Sequence, residues 1–120
     1  MTRAPSLVLL DALATLLGPK GFSRDADVMA PWLTDWRGKY HGAAAAMLSP
    51  ATTEEVAEIV RLCAAENVAL VPQGGNSGMV GGATPDTGGN QILLSLRRLN
   101  RIREIDTTAG IAVAEAGVIL

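Results

Sequence analysis

The stretch "VPQGGNSGMVGGATPDTGGN", Val71 to Asn90, decides how this chain is read. It holds more than half of the chain's glycines, and a hydrophobic run ends where it begins. Composition alone would as readily make it a flexible surface loop. Its place directly after a predicted buried strand, and the apolar Met79 and Val80 inside it, argue against a mere linker. A bound phosphate needs several inward backbone N–H groups and nothing bulky in the way. Glycine permits both, because it takes positive φ and has no side chain. Gly74, Gly75 and Gly78 stand where such nests occur, and Asn76 and Ser77 add polar side chains for an anion or a sugar. Gly81 and Gly82 permit a second close approach.

Two phosphate motifs fail on spacing. The P-loop needs a lysine after its last glycine, and the loop has none. The Rossmann fingerprint needs Gly-x-Gly-x-x-Gly opening a helix. Gly75-Asn76-Ser77-Gly78 has the wrong spacing, and Pro85 with Gly88-Gly89 opposes a helix. Spacing alone therefore leaves an anion or nucleotide cradle of low specificity.

Outward from the loop, "ALVP" is a short strand running into it, and "QILLSL" from Gln91 to Leu96 is a strand leaving it. Before it, "TTEEVAEIVRLCAAENVA" is the clearest helix. Thr52 and Glu55 have capping-box spacing, Val56, Ile59, Val60 and Cys63 form the apolar stripe, and Asn67 is the stop. "AAAAMLSP", Ala43 to Pro50, reads as a buried strand ended by proline. Later strands are expected near Ile102 to Ile105 and in "GIAVAEAGVIL". The N-terminal "SLVLLDALATLL" contains Ala12-Leu13-Ala14, which mimics a signal-peptide cleavage site, but Asp11 interrupts the apolar run. An amphipathic helix from about Ser6 to Leu17, with Leu7, Leu10, Ala14 and Leu17 inward and a stop at Gly18-Pro19, fits better. It is too short and too polar to span a bilayer of about 30 Å. Lys20 to Gly42 has no sustained period and reads as irregular, surface-hugging chain. The pattern is α+β: a β-α-β start that becomes strand-rich. We divide it into residues 1–42, a helix and irregular segment, and residues 43–120, the first part of a ligand-binding domain. The abrupt end at Leu120, in or just after a strand, reads as part of a longer protein.

Bulk properties set bounds. The chain has 120 residues, 48% hydrophobic, with a net charge of -2. That is a globular composition with no electrostatic case for nucleic acid. One cysteine allows no internal disulfide, and no Cys/His spacing suits structural zinc. Cys63 is read as core, His41 as structural or solvent-facing, and Trp32 and Trp36 as packing residues rather than adenine stackers. Arg97, Arg98, Arg101 and Arg103, followed by Glu104 and Asp106, read as a solvated face, and Asp86 as a turn residue.

"VPQGGNSGMVGGATP", "ILLSLRRLNRIREID" and "AEAGVIL", with "TDWRGKYHG" and "LSPATTEEVAEIV" upstream, resemble the FAD-linked oxidases of the vanillyl-alcohol oxidase type. The closest look is to their D-2-hydroxyacid dehydrogenase branch, which includes D-2-hydroxyglutarate, D-lactate and glycolate dehydrogenases. The match runs from about Phe22 onward, and the ordered combination is specific where the glycine loop alone is not. The resemblance implies the first subdomain of a PCMH-type FAD-binding domain. It implies that the loop from Pro72 through Gln73, Gly74, Gly75, Asn76, Ser77 and Gly78 to Met79 wraps the FAD pyrophosphate. Gly81, Gly82, Ser95 and Gly117 match further cofactor-binding positions. Some relatives tether FAD through a histidine after the paired glycines. Asn76 stands there instead, so non-covalent FAD is expected. The implied reaction is oxidation of a D-2-hydroxy acid to a 2-oxo acid, with hydride passing to the flavin. Substrate would be held by regions beyond this chain, and no catalytic residue falls within it. The electron acceptor is unknown. A cytoplasmic location is expected, with peripheral membrane association allowed. The isolated chain is expected to be inactive, and the alternative is a stand-alone nucleotide-binding or interaction module without turnover.

Overall fold

The computed structural model describes residues 2–119. Helix α1 spans Leu7–Gly21, and Ser6 caps it by accepting from the Leu9 N–H at 3.1 Å. Gly18, at φ 68°, breaks the helical run ahead of Pro19, so the expected stop appears as a kink with one more turn beyond it. The inward face is Leu9, Leu10, Leu13 and Leu17, while Leu7 is 70% exposed. The expected stripe is therefore wrong by a rotation. Apolar residues ring most of this helix, so spacing allows two faces, and packing against the sheet selects one.

Lys20 to Gly42 is not irregular throughout. It forms strand β1 (Phe22–Ser23), helix α2 (Ala26–Met29) capped by Asp25, and a 3-10 turn at Ala30–Trp32. Each piece is too short to carry a readable period. Strand β2 (Ala46–Leu48) is wholly buried, as expected of "AAAAMLSP". Helix α3 spans Thr53–Ala65. The Thr52 hydroxyl accepts from the Glu55 N–H, and Glu55 reaches back to the N–H of Ala51, one residue beyond the usual partner. Ile59 and Cys63 are its buried residues, Val60 is 48% exposed, and Asn67 takes the left-handed conformation (φ 62°) beyond its end. Strands β3 (Leu70–Gln73) and β4 (Ile92–Ser95) bracket the glycine stretch, and β5 (Ile102–Asp106) and β6 (Ile111–Ala114) follow. The reading of the chain's end at Leu120 lies outside the described residues.

The four-stranded sheet runs β1-β2-β4-β3, antiparallel between β1 and β2 and parallel thereafter. Helices α1 and α3 cover one face through Leu13, Leu17, Ile59 and Cys63 against Ala46, Leu48, Ile92 and Leu94. Met47, Val71 and Leu93 point the other way, onto Met29, Trp32, Leu33 and Ala44. The segment read as surface-hugging thus lids the second face. Ser6 and Glu66 tie the two helices together, the Ser6 hydroxyl donating at 2.8 Å. Strands β5 and β6 pair antiparallel as a separate ribbon. Glu115 beside β6 anchors Arg101 and Arg103, Arg98 donates to the Ser49 carbonyl, and Arg97 stands 4.7 Å over the Trp32 ring. The arginine run is exposed, as expected of a solvated face, and it also makes these tertiary ties.

Leu13 and Ile59 are fully buried at the helix–sheet seam. Leu13→Ala or Ile59→Ala should each cost about 2–5 kcal/mol. Urea denaturation monitored by circular dichroism checks this.

Candidate functional site

Strands β3 and β4 pair in parallel, with Gln73 opposite Ser95. Parallel strands need a long crossover, and this one is the glycine stretch itself, with no helix in it. The loop thus stands at the carboxyl ends of parallel strands, where open α/β sheets place their ligands.

Its glycines divide by what surrounds them. A Cβ on Gly75, Gly78 or Gly82 would meet nothing within 4 Å, and one on Gly74 only the Ala116 carbonyl oxygen at 3.8 Å. Neither packing nor positive φ demands glycine at these four positions. Gly81 is different: its φ is 77°, and a Cβ would stand 3.1 Å from the Tyr40 ring. Gly117 is demanded by packing, since a Cβ there would run into the Leu96 carbonyl, and its N–H donates to Leu99 O at 2.7 Å.

No backbone N–H from Gly74 to Gly82 donates to any group among the described residues. Pro72 is exposed and brings no N–H of its own. Ser77, Met79 and Val80 line the exposed outer course of the loop. The loop contains no lysine or arginine, so an anion here is held by backbone dipoles. Bare glycines, unspent donors and a strand-end position are what a dinucleotide pyrophosphate requires.

Gln73 and Ser95 lie beneath the loop, buried on the face of Val71 and Leu93. The Gln73 Nε2 lies 2.9 Å from Trp32 O, 3.0 Å from Ala83 O and 3.3 Å from Asn76 Oδ1. Among the described residues, Gln73 Oε1 and Ser95 Oγ have no hydrogen-bond partner. Asn76, at φ 56°, donates from Nδ2 to Thr34 O at 2.8 Å. The structure therefore gathers Pro72 to Gly82 with Ser95 at one strand end. Gly117 lies against the Leu96–Leu99 turn just beyond it.

Sequence reasoning missed the Trp32–His41 segment as part of this site. Its contribution is made largely by the carbonyls of Trp32 and Thr34, which leave no mark in residue identity. Thr34 and His41 form an isolated bridge, closing a tight hairpin in which Asp35 accepts from the Tyr40 N–H at 2.8 Å. That bond, opposed by burial and aided by the N–H groups of Lys39, Arg37 and Asp35 itself, holds the Asp35 carboxyl below its usual range. An open cleft of about 780 Å³ lies between hairpin and loop, lined by Tyr40, His41, Gly81, Gly82 and Thr84 among others. A wider depression of about 810 Å³ lies at the start of α3, but the arginines around it are engaged by Glu115 and the Ser49 carbonyl.

The remaining candidates fall where they were expected, except Trp36, which was expected to pack and is exposed instead. His41 is exposed and shares a 3.1 Å hydrogen bond with the Thr34 hydroxyl. Asp86 accepts from the Gly88 N–H in a turn. Trp32 packs on the second face, while Trp36 is 60% exposed. Cys63 is buried, and desolvation with the nearby Glu66 carboxylate pushes its thiol up to about 11, so it is no nucleophile at neutral pH.

The fold and loop define a nucleotide-cofactor-binding α+β domain. Residues 44–120 match the FAD binding domain family, and the chain belongs to that family. It is 38% identical over 105 residues to a mitochondrial D-2-hydroxyglutarate dehydrogenase of Arabidopsis thaliana, covering 88% of this chain and 18% of the relative. The corresponding enzyme of Bos taurus is 38% identical over 117 residues, covering 96% and 21%. The chain thus spans about a fifth of the length of these curated relatives. Among solved structures, alkyldihydroxyacetonephosphate synthase superposes with a TM-score of 0.82 at 21% identity, covering 98% of this chain and 24% of that one. Substrate-bound p-cresol methylhydroxylase gives 0.78 at 26% identity, covering 92% and 22%. The first subdomain of a PCMH-type FAD-binding domain, expected from the resemblance, is the fold observed, and FAD is the cofactor that its family binds.

Gly75→Ala should leave stability within about 0.5 kcal/mol of wild type yet weaken FAD binding, whereas Gly117→Ala should cost several-fold more stability. Paired denaturation and FAD titrations separate the two. Asp35, with a lowered folded pKa, contributes stability above its unfolded pKa and loses it as pH falls through the folded value. Asp35→Asn should flatten that acid limb in pH-dependent melting.

Proposed function

We propose that this chain is the FAD-binding part of a flavin-dependent oxidoreductase that converts a D-2-hydroxy acid to a 2-oxo acid. The observation that carries the reading is the run of unspent backbone N–H groups from Gly74 to Gly82 among the described residues, in a loop where the fold does not require glycine at 74, 75, 78 or 82. The names of the curated relatives, D-2-hydroxyglutarate and D-lactate dehydrogenases, support the substrate class. When bound, FAD supplies the hydride acceptor. The chain's own part is to bind and orient it. Backbone donors of Gly74 to Gly78 would hold the pyrophosphate, and Gly81 and Gly82 would leave room for the cofactor. Ser95 and Gln73 shape the floor beneath the loop, and Gly117 holds the β6 end of the chain against the Leu96–Leu99 turn.

The cofactor is held without a covalent bond. Asn76 occupies the tether position, and its amide is already engaged by Thr34 and Gln73. Substrate binding, proton abstraction and flavin reoxidation fall to chain outside these residues, so residues 1–120 alone bind but do not turn over. No helix among the described residues is long and apolar enough to cross a membrane. The curated relatives carry mitochondrial names, which favours that compartment over the cytoplasm expected from sequence.

Titrating the chain with FAD should quench flavin fluorescence saturably, and denaturation followed by filtration should return all flavin to the filtrate. Flavin retained on the denatured chain would overturn the non-covalent reading. A longer protein carrying this chain should bleach its flavin on adding a D-2-hydroxy acid. Binding without bleaching there would mark a nucleotide-binding module instead.

A further inference from the structure

The glycine loop is pinned at both ends by a single buried amide. Gln73 is 1% exposed, and its Nε2 reaches Asn76 Oδ1 at the loop's start and Ala83 O at its finish. The same nitrogen reaches Trp32 O, and Asn76 Nδ2 reaches Thr34 O. Two N–H groups on Gln73 face three acceptors, so the three segments compete for one donor group. On the far side of the loop, Tyr40 lays its ring against Gly81. The Thr34–His41 hairpin that supplies these contacts is itself stiffened by Asp35, which binds the Tyr40 N–H through its side chain and Tyr40 O through its backbone N–H at 3.1 Å.

The brace uses carbonyl oxygens and side-chain amides only. It spends none of the loop's backbone N–H groups from Gly74 to Gly82, and so holds the loop's shape while leaving its donors for a ligand. The whole braced hairpin, and Trp32 before it, precede residues 44–120, the part that matches the FAD binding domain family.

We infer that the Trp32–His41 segment sets the opening of the glycine loop, with Gln73 and Asn76 as the positioning residues that transmit its shape to the backbone donors. The ligand in this inference rests on the FAD reading above; the coupling between the two segments does not.

Two variants test it. Asn76→Gly keeps the left-handed backbone that Asn76 adopts, so its effect isolates the lost side chain. Gln73→Leu removes the central amide at similar size. Backbone amide resonances are recorded for the ¹⁵N-labelled chain, with FAD titrations alongside. In Asn76→Gly, resonances of Thr34–His41 and Gly74–Gly82 should shift together, while those of α1 and α3 stay put. FAD affinity should fall about tenfold, within the range expected for losing the two part-buried hydrogen bonds of the Asn76 side chain. Hairpin resonances that stay at their wild-type positions in Asn76→Gly would overturn the inference, whether or not FAD binds. So would wild-type FAD affinity in both variants. Coupled shifts in a chain that binds no FAD would leave the brace standing and sink the cofactor reading instead.

Discussion

Everything at this site depends on the register between β3 and β4. Their parallel pairing sets Gln73 beside Ser95 and forces the intervening chain to leave one strand end and return to the far end of the next. In most parallel sheets a helix makes that journey and covers a face as it goes. Here α1 and α3 already cover one face, and the Met29–Leu33 segment covers the other. The crossover is therefore free to be a loop of glycines, and its backbone polar groups can remain unspent.

That freedom has a structural cost, which is met from the N-terminal side. A long loop with few internal hydrogen bonds has little reason to hold one shape. Buried amides at Gln73 and Asn76 supply the reason, drawing on carbonyls of Trp32 and Thr34. The segment before Gly42 therefore does two jobs: it lids the second sheet face and it braces the loop. Residues 1–42 and the rest of the chain share their cores, since Leu9, Leu13 and Leu17 pack with Ile59 and Ile92.

The elements with a long or strong local signal were legible. The Thr52 cap, the amphipathic helix after it, the buried "AAAAMLSP" strand and the strands flanking the loop all appear near their expected places. The inward face of α1 was not, because apolar residues lie on several of its sides and only contact with the sheet chooses among them. The short pieces between Phe22 and Trp32 were invisible for a different reason: none is long enough to complete a period. The arginine run is exposed as read, but its ties were not legible because its partners, Glu115, Ser49 and Trp32, are distant in sequence.

By itself the sequence determined that a glycine-rich, cation-free loop follows a buried strand, and that it is neither a P-loop nor a Rossmann turn. These are properties of residue type and spacing along the chain. Only the tertiary structure decided which glycines stand in open space and which are forced by packing, as Gly75 and Gly117 respectively are. It alone showed what holds the loop open. Both depend on atoms brought close from distant positions, and the decisive ones are backbone carbonyls, which every residue carries alike.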